Sequence, residues 1–219
     1  MVAAAMRAPR LWPRCLIALA VVVALVSGAR SGQAVAPASP EAVGEDVARI
    51  EAYLNDLKSA RAHFVQINPD GRTVTGEFYY ERPDKMRLDY DPPSEILIVA
   101  NGWNLFYHDR RLQQVNYLYT SQTPLGFLLA DEVRLSGEVS VTSVDRRGGE
   151  LLVTLVQTEE PAEGAITLAF SEQPLELRRW TVVDPQGNVT HVVLENLQTG
   201  VDLDGQLFRF RDPRDSRPG

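Results

Sequence analysis

The chain has 219 residues, 44% of them hydrophobic and 23% charged, with 22 basic against 29 acidic side chains for a net charge of −7. That length supports one domain with a substantial core or two small ones. The acidic balance argues against nucleic acid and against an anionic membrane surface as partners, and a single cysteine, Cys15, excludes a disulfide framework.

The N-terminus reads as an export signal. Arg7, Arg10 and Arg14 form a basic region, and Cys15 to Val26 is an apolar run too short to span a membrane. Ser27, Gly28 and Ala29 supply small residues for cleavage after Ala29, giving a signal peptide over 1–29 and a periplasmic destination. Its removal takes three basic groups and no acidic ones, leaving 19 basic against 29 acidic side chains, a charge of −10, and no cysteine. Residues 30–39 read as a disordered leader.

A helix start follows, with Ser39 at N-cap, Pro40 at the first helical position and Glu41 in the first turn. Val43, Val47, Ile50, Leu54 and Leu57 recur at helical spacing, which predicts an amphipathic helix over residues 40 to about 60. From Ala62 onward the pattern becomes short alternating runs between turn residues, as in an antiparallel meander of ten or eleven strands. So many strands curl into a barrel or half-barrel.

The most informative stretch is 74–90. Val74, Gly76, Phe78, Tyr80 and Arg82 share one strand face, and beyond the turn at Pro83-Asp84, Met86, Leu88 and Tyr90 share one side. Arg82 therefore looks inward among apolar groups. It is either a residue whose stem packs while its head reaches water, or an arginine at a cavity mouth whose five donors hold a covering element. Thr123 and Pro124 then open a second predicted helix, and its Leu125, Phe127, Leu128 and Leu129 are too many apolar groups for one stripe on two turns. That helix must cover something apolar.

Signals for chemistry are weak. His63, His108 and His191 share no metal-ligand spacing, and the chain has no glycine-rich phosphate loop, nucleophile elbow or zinc-binding helix motif. The acids Asp84, Asp89 and Asp91, and Glu159, Glu160 and Glu163, fall in turns and loops where solvation accounts for them. These readings predict a binding protein without catalytic residues, metal or cofactor.

Five local motifs occur in order: His63-Phe64-Val65-Gln66; Gly76 to Arg87 with Arg82-Pro83; Pro93 to Gly102 leading into Leu105-Phe106-Tyr107; Thr123-Pro124-Leu125; and Leu207-Phe208-Arg209-Phe210. In that order they resemble the periplasmic outer-membrane lipoprotein carrier family, LolA, over most of the chain from the helix at Pro40 to a closing strand at Phe208. The resemblance implies a half-barrel domain over 40–211, with 212–219 a polar tail, whose apolar concave face is covered by helices acting as a lid. It implies acylated lipoproteins as cargo, an inner-membrane lipoprotein-releasing ABC transporter as donor, an outer-membrane receptor as acceptor, and a monomeric carrier. Arg82 corresponds to the latch that ties lid to barrel, and Met86 to a cavity position that is a bulky aromatic in the family. The expected cavity wall is Phe78, Tyr80, Met86, Leu88 and Tyr90, and the expected lid is Pro124, Leu125, Phe127, Leu128 and Leu129. The competing reading is a periplasmic sensing domain on the same half-barrel, binding a lipid or peptide without handing it on.

Overall fold

The computed structural model describes residues 39–216. The predicted signal peptide and the leader up to residue 38 lie outside the described residues.

Helix α1 spans Pro40–Asp56, with the Ser39 hydroxyl accepting a hydrogen bond from the Ala42 amide at 3.2 Å. It stops short of the predicted end near residue 60. Continuing it would require the Ser59 amide on the Asn55 carbonyl, but that carbonyl accepts from Arg82 Nη2 at 2.9 Å, and Ser59 already pairs with Glu81 as a strand residue. Long-range pairing overrides the helical spacing of Leu57.

Eleven strands follow: β1 (Ser59–Ile67), β2 (Thr73–Glu81), β3 (Lys85–Tyr90), β4 (Ile96–Asn101), β5 (Asn104–Asp109), β6 (Gln114–Tyr119), β7 (Val139–Arg147), β8 (Glu150–Gln157), β9 (Ala165–Glu172), β10 (Leu175–Val183) and β11 (Val189–Thr199). They form one antiparallel open sheet in the order β6-β5-β4-β3-β2-β1-β11-β10-β9-β8-β7. Because β1 pairs with β11, the two sheet edges are β6 and β7, which are consecutive in sequence. Residues 120–138 must therefore pass from one edge of the sheet to the other, and this connection, termed the lid for its place over the concave face, carries Leu125 and Leu128 against the core.

The lid contains two tight 3₁₀ turns, Thr120–Gln122 and Gly126–Leu129, instead of the predicted helix with Thr123 at its N-cap and Pro124 at its first position. Thr123 Oγ1 turns back to donate to the Thr120 carbonyl at 2.7 Å, and a Cβ on Gly126 would lie 2.1 Å from that same oxygen. The turns are folded onto each other too closely for an α-helix to start at Pro124. Gly76 serves a similar need in the sheet, where a Cβ would fall 2.3 Å from the Asp89 carbonyl and 2.7 Å from the Phe64 ring.

The inner face of the sheet carries one continuous apolar core with α1 and the lid against it, including Ile50, Leu54, Phe64, Leu151, Leu168 and Phe170, all at most 1% exposed. The predicted closing strand at Phe208 is a 3₁₀ turn, Gly205–Phe208, started by Asp204 accepting from the Gln206 amide. It lies on the opposite face of the sheet from the core, where Arg87 and Asn101 donate to the Leu207 and Phe208 carbonyls, both at 2.9 Å. Phe210 stacks on Phe106 with ring centroids 4.7 Å apart, and the buried Asp212 carboxylate accepts from Tyr117 and Arg214.

This outer strap confers a pH dependence. His108 lies 7% exposed against the edge of the Phe210 ring, and its Nε2 has no hydrogen-bond partner. Burial, and secondarily the charge of Arg110, hold its pKa below 6.5, with Asp212 and Asp109 opposing. The unfolded chain then binds more protons than the folded one between that lowered value and about 6.5, so stability is complete above this window and declines as pH falls through it. Asp212, held well below the usual carboxylate range by Arg214 and Tyr117, loses its contribution only at more acid pH. Chemical denaturation at pH 7.5 and 5.0 should show a smaller loss for His108→Phe than for the parent; equal losses would contradict this.

Candidate functional site

The alternation along β2 and β3 delivers its inward residues to the concave face. Phe78, Tyr80, Met86, Leu88 and Tyr90 are all buried there, from 4% to 7% exposed. Phe78, Tyr80 and Met86 line the central hollow together with Leu54 from α1, Leu57 just beyond the helix end, Leu177 and Trp180 from β10, and Leu125 and Leu128 from the lid. Leu88 and Tyr90 belong to the same core but lie outside this hollow; Tyr90 packs edge-on to Phe64 at 4.9 Å and donates to Gln66 at 2.7 Å.

No charged side chain lines the hollow. Its free space is about 20 Å³, room for roughly one water. The lid side chains occupy it, so the site is closed. A ligand that enters must displace Leu125 and Leu128.

The five expected lid residues divide by direction. Leu125 and Leu128 line the hollow, Phe127 is buried but lines a separate open groove, Leu129 is 2% exposed, and Pro124 is exposed on that groove. Two direct hydrogen bonds hold the lid turn to β2 and the β2–β3 turn: Tyr80 OH donates to the Leu128 carbonyl at 2.6 Å, and the Asp84 amide to the Leu129 carbonyl at 2.9 Å. Burial pushes the Tyr80 phenol well above its ordinary pKa, with Arg82 opposing, so the hydroxyl remains a donor at neutral pH.

Arg82 points inward and is 9% exposed. Its guanidinium does not reach the lid turn directly. Nη1 donates to Asn55 Oδ1 at 3.2 Å and Nη2 to the Asn55 carbonyl at 2.9 Å. Asn55 in turn exchanges two hydrogen bonds with Val133 on the lid's return arm: its Nδ2 donates to the Val133 carbonyl at 2.8 Å, and its Oδ1 accepts the Val133 amide at 2.9 Å. The Leu135 amide completes the junction on Glu51 Oε1 at 2.6 Å. Arg82 thus acts on the lid through a relay, Arg82–Asn55–Val133.

Asn55 and Tyr80's hydroxyl are the functional groups the sequence reading missed. Asn55 sits at the end of an amphipathic pattern between Leu54 and Asp56, and its partners are 27 and 78 residues away. The relay rests on a fixed helix. Asp46, 3% exposed, binds Arg146 of β7 at 2.6 Å, and Tyr53 OH accepts the Leu177 amide of β10 at 3.1 Å. Among the described residues, no group of three His, Cys, Asp or Glu side chains converges as a metal-binding cluster.

A greasy, charge-free hollow under a hydrogen-bonded lid suits long apolar chains. A solved LolA superfamily protein from Nitrosomonas europaea overlays with a TM-score of 0.42 at 11% identity, over 75% of this chain and 97% of that one. The outer-membrane lipoprotein carrier protein of Methylococcus capsulatus is 30% identical over 174 residues, covering 75% of this chain and 83% of that protein. The protein of the same name from Nitrosomonas europaea is 28% identical over 177 residues, covering 76% and 85%. The family model for the outer membrane lipoprotein carrier protein LolA matches residues 55–211, a span that opens on Asn55 and takes in all eleven strands, the lid and most of the outer strap. The chain belongs to the LolA family of outer-membrane lipoprotein carrier proteins.

Proposed function

We propose that this protein is a periplasmic carrier that shields the acyl chains of lipoproteins in its hollow. It takes them from an inner-membrane ABC transporter and yields them to an outer-membrane receptor. The observation that carries the reading is the hollow itself: apolar walls, no charge, about 20 Å³ of free space, and lid leucines standing where acyl carbons would go.

Energetics favour exchange over permanent binding. Burying an acyl chain gains about 0.8 kcal/mol per methylene, or roughly 10 kcal/mol for one long chain. Cargo must displace Leu125 and Leu128 and break the Tyr80–Leu128 bond, so net affinity is the acyl burial less the lid's own burial. A lid that competes with cargo keeps binding strong enough to cross water and weak enough to reverse.

Depleting the protein in its own bacterium should leave outer-membrane lipoproteins at the inner membrane, read by density-gradient fractionation. Unchanged sorting on depletion would contradict the carrier role.

A further inference from the structure

The lid is fastened on one side and loose on the other. Toward β2 and α1 it is held by the bonds from Tyr80, Asp84, Asn55 and Glu51, between 2.6 and 2.9 Å. Toward the ends of β7, β8 and β9, the return arm is held by the Thr158 amide on the Glu138 carbonyl at 3.0 Å, but the bond to the outgoing turn is a stretched one, Gln157 Nε2 to the Ser121 carbonyl at 3.5 Å. Two adjoining openings lie along that gap, about 280 and 540 Å³, sharing Ser121, Pro124, Val139, Gln157 and Glu160. That is the size range of small-molecule sites, about 300–1,000 Å³.

The floor of the groove is core. Val139, Leu155 and Ile166 are 6%, 0% and 3% exposed and belong to the same apolar cluster as the hollow. Phe127 stands between the two spaces: it lines the groove, while Leu125 and Leu128, its neighbours on the same turn, line the hollow. Glu138, Glu159, Glu160 and Glu163 stand among the groove's lining residues, so an acyl chain lying in it meets apolar side chains along this floor and at Phe127, with the carboxylates left at the solvent side.

We propose that the groove between residues 121–127 and the β7–β9 rim is the seam through which an acyl chain loads, with Phe127 as its gate and the Tyr80–Asn55 side as the hinge. Loading by this route lets the hinge bonds stay largely intact, because the lid swings from its loosely held side. The proposal rests on the acyl-carrier reading and adds where the chain passes.

Tethering tests it. In the mature chain, which carries no cysteine of its own, Ser121→Cys with Gln157→Cys spans the seam, and Asp84→Cys with Ala130→Cys spans the hinge; each pair is closed with a short bis-maleimide on purified protein. The probe is a detergent-solubilised triacylated lipoprotein, and its capture is read by co-purification. The seam tether should reduce capture by about tenfold or more and the hinge tether by less than about twofold, a separation of at least about fivefold in binding. Normal capture by the seam-tethered protein, or equal loss with both tethers, overturns the seam. Failure of the untethered double variants and of the parent to capture the lipoprotein overturns the carrier reading itself, and the seam with it.

A photo-crosslinking residue provides the second measurement. Placed at Gln157, it should label the acyl chains during loading, and placed at Arg87 on the outer face it should not. Labelling at neither position while cargo is captured overturns the seam and leaves the carrier reading standing.

Discussion

Asn55→Ala is expected to lower thermal stability by roughly 4–12 °C and to free the return arm of the lid. The side chain holds four hydrogen bonds at once: to Arg82 Nη1, to the Glu51 carbonyl, and to both the amide and carbonyl of Val133. Alanine leaves the Val133 groups and one guanidinium nitrogen without partners, where each buried orphan costs about 1–3 kcal/mol. Asn55 is only half-buried, so water recovers part of that, and a net loss of about 2–3 kcal/mol follows. Arg82 would keep its bond to the Asn55 carbonyl, which is backbone. The local signature therefore lies in the lid: hydrogen exchange at the Val133 and Leu135 amides should accelerate far more than exchange in β1 or β9. Arg82→Leu should speed the same two amides, because it removes the group that orients Asn55. Uniform acceleration across the sheet, or none at Val133, would show that the relay does not hold the lid.

The alternation in 74–90 disclosed the concave face because strand burial is a local, period-two property, and each of Phe78, Tyr80, Met86 and Leu88 follows from it. Arg82's inward direction was legible for the same reason. Its partner was not. Asn55 becomes its partner only after β1 returns the chain beside β2, an arrangement no local pattern encodes. The lid was legible as an apolar cluster but not as a 3₁₀ turn, since the deciding contact is Gly126 against the Thr120 carbonyl. The aromatic pair Phe208 and Phe210 resembles a strand end in sequence. Their actual roles, Phe210 covering Phe106 and His108 and Phe208 lying buried beside Lys85, depend on where the sheet leaves room.

The topology gives the lid its thermodynamic part. With β6 and β7 as opposite edges, the connection between them stays tethered at both ends of the concave face. On the proposed carrier function the lid is a tethered ligand for its own cavity, held at high effective concentration, and each apolar group on it would subtract from cargo affinity.

Leu128→Ala should therefore weaken the fold and strengthen cargo binding together. Leu128 is 9% exposed and lines the hollow beside Leu125. Truncating it removes about 2–3 kcal/mol from the closed state, at the low end for a core leucine because the site is near the lid surface. The Tyr80 hydrogen bond survives, since its acceptor is the Leu128 backbone carbonyl. Cargo displaces this side chain, so the same 2–3 kcal/mol reappears as affinity, roughly 30- to 150-fold tighter lipoprotein binding with correspondingly slower hand-over. Leu54→Ala supplies the contrast. Leu54 lines the same hollow at 1% exposure, but α1 is anchored by Asp46–Arg146, Tyr53–Leu177 and Arg82–Asn55 and keeps its place when the lid moves. Its loss should cost comparable stability with less than about a fivefold change in cargo affinity, because the wall is present in both states. Paired melting and equilibrium-binding measurements on the two variants separate the cases: matched changes in affinity, or weaker binding by Leu128→Ala, would mean that the lid does not compete with cargo for the hollow.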